Sequence, residues 1–373
     1  MAVSTSTAAL IVALVLSAAL GGCSSEQATD KPDHRPVLPP RTTQQSCFAE
    51  AASSTDPAAT DSTPGAAPQL LSESGCFEDV AQLLPGPDLI PFDVASELWT
   101  DGAAKQRYMV LPPGEKVVVG ADGTWAFPLG SVLIKHFSYD VSGSRTVETR
   151  VLLHRTTGWE GHSYEWLPDG SDARLLNEWK QVPFETSLGT VNHLFPSRSS
   201  CEACHSPSAE FVLGPTTAQM NHQVQWQGGA GNQMDALAAI EAIELPADVV
   251  SAELDQLPSP KDKSASLEGR ARAYLHANCG HCHRPGGWAP PELDLDLRWQ
   301  VSFADTRTCD VPLQFGTLFG KKRIVPGDPD ASGLLDRVQS DGINRMPPMG
   351  TGLIDAEGVG VLRAFVASLK ACP

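Results

Sequence analysis

The sequence predicts a multi-domain α+β protein, in which an antiparallel β sandwich or open barrel precedes a cysteine-containing segment and an all-α C-terminal domain. Between residues 89 and 194 the apolar runs are short, rich in Val, Thr, Phe, Tyr and Trp, and separated by Gly- or Pro-containing turns. After residue 264 the apolar residues recur at helical spacing. A Pro-containing stretch at 246–263 separates the two parts and predicts an interdomain linker.

Changes in composition along the 373 residues place the domain boundaries. A hydrophobic content of 41% is enough for buried cores, and no apolar run after the N-terminus approaches the length of a membrane-spanning helix. We expect a signal peptide at 1–23, a disordered linker at 24–69, a β-rich domain at 70–195, a first motif-bearing segment with a linker at 196–262, and an α-helical domain at 263–373.

The N-terminus resembles the export signal of a bacterial lipoprotein. An apolar segment at 8–20 is followed by Gly21, Gly22 and Cys23, which resembles a lipobox. The resemblance implies cleavage before Cys23 and lipid attachment to it; no Lys or Arg precedes the apolar segment, and a plain secretory signal is the alternative. By resemblance to enterobacterial lipoproteins, Ser24 at the next position favours the outer membrane. We therefore expect an exported, lipid-anchored protein that faces the periplasm or the cell surface.

The segment 24–69 contains mostly Ser, Thr, Ala, Asp and Pro. Such a composition cannot bury enough apolar surface to fold, so we expect a flexible tether that holds the folded domains clear of the lipid. The formal net charge of the whole chain is −17, which argues against nucleic acid as a partner, because nucleic-acid binding requires clustered Lys and Arg.

Short strands fill the predicted β-rich domain. Alternation of apolar and polar residues at 131–137 indicates a strand with one buried and one polar face. We expect strands at 107–111, 116–119, 124–127, 131–140, 146–154, 162–167 and 173–177.

Two copies of the sequence Cys-x-x-Cys-His occur, one at 201–205 and one at 279–283. This is the c-type haem attachment signature: two thiols at this spacing can add to the two vinyl groups of one porphyrin, and the adjacent His can bind the iron. The alternative is a structural zinc site, but zinc sites place their two cysteine pairs a short loop apart. We therefore predict two covalently bound haem c groups, attached at Cys201, Cys204, Cys279 and Cys282 with His205 and His283 as iron ligands.

The chain after residue 264 resembles a small class I cytochrome c. A predicted helix at 267–278 enters the second motif directly, a short helix follows at 332–340, and Asp355 can cap a final helix at 357–370. The loop 345–350 contains Met-Pro-Pro-Met. By this resemblance Met346, immediately before Pro, is the sixth ligand of the second iron, with Met349 as the alternative; a His and Met pair suits outer-sphere electron transfer.

The sixth ligand of the first iron stays open. No Met-Pro loop follows the first motif. The position could also be empty, which would let the iron bind peroxide, oxygen or nitric oxide. The candidate residues are Met220, His222, Met234, His136, His154, His162 and His193.

Four of the 9 cysteines remain after Cys23 and the two motifs are set aside. In an oxidising compartment an even remainder predicts two disulfides, and three connectivities are possible. We favour Cys47 with Cys76 and Cys309 with Cys372, because each pair then stays within one half of the chain, the first N-terminal and the second C-terminal.

Three strings resemble a family of exported bacterial proteins that carry c-type haem motifs, labelled conserved hypothetical proteins or di-haem cytochromes. They are ELWTDGAAK at 97–105, WAFPLGSVLIK at 125–135 and ETR at 148–150. The resemblance extends from residue 70 to the C-terminus and implies an exported di-haem cytochrome without an established substrate.

These observations favour an electron-transfer protein over a catalyst. The leading hypothesis is an exported di-haem c-type cytochrome that exchanges electrons with redox partner proteins, whose docking the acidic charge would serve. The alternative is a di-haem peroxidase or oxidase, in which the first haem has an open coordination position and the second supplies electrons.

Overall fold

The computed structural model describes residues 1–2, 36–49, 66–141, 143–227, 229–314 and 316–373. The chain divides into two units, Met1–His34 and Arg35–Pro373, and every described helix and strand lies in the second. Cys23 and most of the predicted signal and linker lie outside the described residues. Among the described residues, no helix combines the length and apolar character that crossing a bilayer requires.

The described residues form fifteen strands. Their bounds are β1 Phe77–Asp79, β2 Leu84–Pro85, β3 Ile90–Phe92, β4 Ala104–Val110, β5 Val117–Val119, β6 Trp125–Ala126, β7 Val132–Asp140, β8 Ser144–Arg155, β9 Gly158–Trp166, β10 Ala173–Leu176, β11 Lys180–Thr186, β12 Gly189–Phe195, β13 Gln223–Trp226, β14 Gly229–Asn232 and β15 Ile243–Glu244.

A six-stranded antiparallel sheet, in the order β10-β9-β8-β7-β4-β3, is the centre of the molecule. Five of its six strands lie close to the positions that the sequence predicts, and β3 was not predicted. One face buries Tyr108, Ile134, Val151 and Tyr164 in an apolar core, as the alternation of apolar residues requires. The opposite face turns toward the two cysteine motifs.

Four smaller sheets surround this one. The hairpins β1-β2, β11-β12 and β13-β14 each contain two strands, and β15 adds in parallel to β5, which pairs with β6. The hairpin β11-β12 was absent from the sequence prediction, although it is paired along its full length. Pro183 lies inside β11, and a proline weakens the sequence signal for a strand.

The structure corrects the predicted fold class. The described residues are mostly in strands and irregular segments, and they contain only six α-helices of 4 to 13 residues. The helices are α1 Arg198–Cys201, α2 Thr217–Met220, α3 Gln233–Ala239, α4 Leu267–Asn278, α5 Gly333–Val338 and α6 Ala356–Ser368.

The C-terminal part is therefore not the predicted all-α, class I cytochrome c-like domain. Helices α4, α5 and α6 lie where helical spacing predicts them, but between α4 and α5 the described backbone forms turns, short 3-10 helices and isolated bridges. The physical reason is composition: residues 284–291 carry Pro285, Gly286, Gly287 and two further prolines, which cannot continue a helix.

Helices α4 and α6 pack tightly against each other beside the second motif. Asp355 accepts a hydrogen bond from the Gly358 amide at 2.9 Å and so caps α6, as predicted. A Cβ at Gly358 would lie 2.1 Å from the ring of Tyr274 on α4. Gly358 therefore allows the close approach of the two helices.

Two disulfides link distant parts of the chain. They join Cys47 to Cys76 and Cys309 to Cys372, which are the pairs favoured from the sequence. The first bond lies in the core beneath the sheet, and Asp88 accepts hydrogen bonds from the amides of Ser46 and Cys47. Residues 36–49, inside the predicted disordered linker 24–69, thus include an ordered segment, held by a covalent bond that composition alone does not reveal.

Candidate functional site

A cavity of about 660 Å³ lies between the central sheet, α4 and the loop that precedes α6. This volume falls in the range of roughly 300–1,000 Å³ that is typical of ligand and cofactor pockets. Both Cys-x-x-Cys-His motifs line it, together with the Met-Pro-Pro-Met loop. Two segments far apart in sequence therefore line one partly open cavity.

The first motif lies against strand β9. Ser197 caps α1, and the amides of Cys204 and His205 both donate to the Cys201 carbonyl, at 3.2 and 2.8 Å, so the motif is wound into a tight turn. A Cβ added to Gly161 on β9 would lie 2.8 Å from the Cys201 sulfur. The missing side chain at Gly161 is what lets the motif approach the sheet.

His205 is oriented by a backbone carbonyl. Its Nδ1–H donates to the carbonyl of Phe211 at 2.5 Å, which leaves Nε2 as the nitrogen without a proton. Burial lowers the pKa of the His205 imidazole to about 4, so the ring is neutral. A neutral imidazole with its Nδ1 so held is the usual form of a metal-binding histidine.

The second motif follows α4 without a break. The amides of Cys279 and Gly280 still donate to Leu275 of the helix, and the His283 amide donates to Cys279 at 2.9 Å. Gly280 fits only because it lacks a side chain: a Cβ would lie 2.9 Å from the His276 carbonyl oxygen and 3.1 Å from the Leu297 carbonyl oxygen.

His283 has a buried ring nitrogen that none of the described residues satisfies. Its Nδ1 makes no hydrogen bond. Burial lowers the pKa of His283 to about 4, and the ring is therefore a neutral imidazole. Because an unpaired buried polar atom is costly, the ring is suited to a metal ion or another partner.

The two motifs meet inside the cavity. The sulfur atoms of Cys204 and Cys282 and one ring nitrogen of His281 all lie within 4.8 Å of one another. The hydrogen bond from the Cys282 thiol lowers the pKa of Cys204, and the same bond raises the pKa of Cys282. His281 is a variable position of the second motif, and the structure places it where the second cysteines of the two motifs face each other.

The predicted methionine loop also borders the cavity. Both Met346 and Met349 line it, and the Met346 amide donates to the carbonyl of Arg337 at 3.0 Å. Met349 is the more exposed of the two, at 37%. The structure thus brings the preferred ligand and its alternative to the same space as the second motif.

The candidates for the sixth ligand of the first iron lie mostly elsewhere. Met220 and Met234 are fully buried in a core cluster that adjoins the cavity, but neither lines it, and His222 bonds to backbone carbonyls outside it. His136, His154 and His193 bond to Thr149, Pro128 and Glu148. Of the seven candidates only His162 borders the cavity, but it pairs with Val151, whose side chain faces the opposite core.

A buried network on β8 supports the cavity wall. Glu148 is fully buried and accepts hydrogen bonds from Arg150 at 2.8 and 2.9 Å, Ser163 at 2.5 Å and His193 at 2.7 Å. Arg150 is held in place by this carboxylate and lines the cavity. Sequence reasoning missed Glu148 and Arg150 as parts of the site; their location within the ETR string was the available signal.

A loop between β3 and β4 fixes the sheet to the C-terminal part of the chain. The Trp99 amide donates to the side chain of buried Asn278 at 2.7 Å, and Asp101 accepts from the amides of Gly352 and Leu353 at 2.6 and 2.8 Å. Residues of the ELWTDGAAK string thus connect the sheet to the C-terminal part of the chain, and Leu98, Trp99 and Thr100 line the cavity.

The donor set fits two c-type haems. The cavity walls supply four free cysteines in two pairs, two neutral imidazoles and two methionine thioethers. Thiols for thioether attachment, imidazole and thioether are the groups that haem c takes from a protein. No protein-family model, curated protein or solved structure matches this chain, so the residues of the cavity are the basis for assigning a function.

Proposed function

We propose that the chain is an exported di-haem c-type cytochrome that transfers electrons through two covalently attached haems. The observation that carries the proposal is that both Cys-x-x-Cys-His motifs open into one cavity, with the sulfur atoms of Cys204 and Cys282 within 4.8 Å. A shared cavity suits electron exchange between the two centres. The family resemblance of the three sequence strings points to the same function.

Each motif would hold one haem. Cys201 and Cys204 would attach the first group and Cys279 and Cys282 the second, with His205 and His283 as ligands. When bound, haem c supplies an iron that cycles between two oxidation states. Met346 is the proposed second ligand of the iron at the second motif, with Met349 as the alternative.

The chain itself would position these groups and exclude water. The Phe211 carbonyl fixes the ring orientation of His205 and leaves Nε2 free. The central sheet and the contact between Trp99 and Asn278 close the cavity on two sides. A closed, low-dielectric surrounding is one of the factors that set a reduction potential.

The net charge of −17 supports redox proteins with basic docking surfaces as partners. Export and a lipid anchor at Cys23, with the protein facing the periplasm or the cell surface at the outer membrane, belong to the same proposal. Export and lipid attachment are supported only by the resemblance of the N-terminal sequence to a lipobox, since Cys23 lies outside the described residues.

The test is to express the full chain in a host with haem-attachment machinery. Haem content would be measured by the pyridine haemochrome spectrum and by intact mass. We expect two haems per chain that resist acid-acetone extraction, and one haem in each of the double variants Cys201→Ser/Cys204→Ser and Cys279→Ser/Cys282→Ser. A haem-free chain that instead retains a metal ion at Cys204, His281 and Cys282 would overturn the proposal.

A second candidate is a di-haem peroxidase or oxidase. It is favoured by one observation: among the described candidates for the sixth ligand of the first iron, none turns its side chain into the cavity. Carbon monoxide and peroxide titrations followed by optical and paramagnetic resonance spectra separate the candidates. A high-spin signal that responds to either ligand supports the enzyme, and two low-spin signals that respond to neither support the electron carrier.

A further inference from the structure

The cavity face of the central sheet carries a row of three cations. Arg107 on β4 pairs with Lys135 on β7, and Lys135 pairs with Arg150 on β8. Residues directly opposite each other in antiparallel strands project from the same face, with their Cβ atoms about 5 Å apart. All three line the cavity. Like charges at such positions destabilise a sheet, so the row requires compensation.

Carboxylates compensate only the two ends of the row. Arg107 forms ion pairs with Asp93 at 2.8 Å and with Glu97 at 2.7 Å, and Arg150 pairs with Glu148. Among the described residues, the Lys135 ammonium group makes no hydrogen bond or ion pair; it lies 5.7 Å from the centre of the Phe137 ring, and the charge of Glu97 acts on it without direct contact. The central cation therefore faces the cavity without an anionic partner.

The electrostatic cost of this arrangement lowers the pKa of Lys135. Burial, together with the charges of Arg107, Arg150 and Lys105, outweighs the opposing charge of Glu97 and lowers the pKa of Lys135 to about 7. A cation that is desolvated and surrounded by other cations is stabilised most directly by an anion in the adjacent space.

An apolar row lies next to the cationic one. Leu133 on β7 pairs with Leu152 on β8, and Leu152 pairs with Gly161 on β9. On β7 and β8 these residues lie two positions from Lys135 and Arg150, and therefore on the same face of the sheet. All three line the cavity, and the Gly161 end of this row lies against Cys201. Lys135 lies on β7, which is separated from β9 by β8, so the backbones of β7 and β9 are on the order of 10 Å apart. The face thus offers an apolar strip beginning at the first attachment cysteine and a cationic strip beside it.

We propose that this face of the sheet binds the first haem, and that Lys135 and Arg150 bind the carboxylates of its propionate groups. The inference rests on the proposed di-haem function. A c-type haem is a flat apolar ring system with two carboxylates, and it matches an apolar strip bordered by cations. Lysine and arginine are the donors that bind carboxylates by charge-assisted hydrogen bonds. The unpartnered ammonium of Lys135 is explained by such an anion.

The test compares Lys135→Met with Lys135→Arg in the haem-loaded protein. Removal of one positive charge beside a haem favours the oxidised iron, so Lys135→Met should shift the midpoint potential of one of the two haems to more negative values. Resonance Raman spectra should show a changed propionate bending mode for the same haem. Lys135→Arg should restore both properties. Lys116→Met, on an exposed lysine paired with Glu241 outside the cavity, should change neither.

Three results would overturn the inference. The first is that potentials and propionate modes are unchanged in Lys135→Met, while two haems per chain and the far-ultraviolet circular dichroism are retained. The second is that the variant alters the centre at Cys279 and Cys282. The third is that added phosphate or nitrate shifts the potential of the wild-type protein but not of Lys135→Met, since a free anion would then occupy the row.

If Lys135→Met does not fold, Arg150→Lys is a second test, because it keeps the charge but loses Nη1, the guanidinium nitrogen that Glu148 and the Leu194 carbonyl leave unbonded. It should change the propionate mode of the same haem, and an unchanged mode would count against the inference. Failure of the proposed function itself is recognised separately, since the wild-type protein would then carry no covalent haem.

Discussion

Replacing Glu148 with Gln should remove a large, acid-sensitive part of the stability. Burial raises the pKa of the Glu148 carboxyl, but the charge of Arg150 and the hydrogen bonds from His193 and Arg150 outweigh it and lower the pKa from 4.5 to about 2. Because the pKa is lower in the folded protein than in the unfolded chain, this contribution is fully present above about pH 4.5 and is lost as the pH falls toward 2. At about 1.4 kcal/mol per pKa unit, the contribution is about 3 kcal/mol.

At pH 7 the Glu148→Gln variant should therefore be less stable than the wild type by about 3–5 kcal/mol, the cost of breaking a buried ion pair on one side. Urea unfolding of the haem-loaded proteins, followed by far-ultraviolet circular dichroism at pH 7, 5, 4 and 3, measures the difference. It should shrink by about 2 kcal/mol between pH 7 and pH 3, as the wild type loses its carboxylate contribution.

The matched control is Glu178→Gln, on a carboxylate at an exposed position. It should change the free energy of unfolding by less than about 0.5 kcal/mol. A destabilisation by Glu148→Gln that is the same at pH 7 and pH 3 would refute the reasoning, because it would show that the carboxylate charge is not what the network stabilises.

Three further variants test the architecture of the cavity. Gly161→Ala should cost about 1–3 kcal/mol of stability and reduce haem attachment at the first motif, since the added Cβ lies 2.8 Å from the Cys201 sulfur; haem counting by mass and urea unfolding measure both effects. Asn278→Ala should cost about 1–3 kcal/mol, because it removes a buried side chain that accepts from the Trp99 amide and donates to the Glu97 and Tyr274 carbonyls, and thermal unfolding measures the loss. The double variant Cys309→Ser/Cys372→Ser should lower stability by about 4 kcal/mol, because the disulfide closes a loop whose ends are 63 residues apart. Urea unfolding measures this loss.

Two controls sharpen these tests. Gly231→Ala on β14 introduces a Cβ that meets no atom within 4 Å, so it should leave haem content unchanged. Asn192→Ala, at an exposed position on β12, should cost less than about 0.5 kcal/mol. A loss of first-motif haem in the Gly231 variant, or an Asn278 variant as stable as the wild type, would contradict the expected geometry.

The sequence predicted local structure better than its assembly. Helix α4 and five of the six strands of the central sheet follow from spacing of 3.6 and 2 residues, and Asp355 follows from cap chemistry. The all-α C-terminal domain was wrong, because a resemblance built on three helices and a Met-Pro loop does not constrain the Pro- and Gly-containing chain between α4 and α5. Long-range pairing is not encoded in local periodicity.

The cavity shows the same limit. Both cysteine motifs and Met346 could be named from the sequence, since their spacing carries the chemistry. Lys135 could not, because alternation along β7 indicates a polar face without saying whether that face meets solvent or a cavity. The position of Lys135 between Arg107 and Arg150 depends on strand pairing, which becomes visible only in the fold.

The placement of charge supports separate roles for the surface and the interior. The chain has 44 acidic and 27 basic residues, so a surface with the average composition of this protein would carry a negative charge. The cavity face of the sheet instead places Arg107, Lys135 and Arg150 side by side, with Lys105 nearby and its pKa lowered by burial to about 8. Such a concentration of cations inside an acidic protein is costly unless an anion belongs there. Anionic groups bound in the cavity would satisfy these cations.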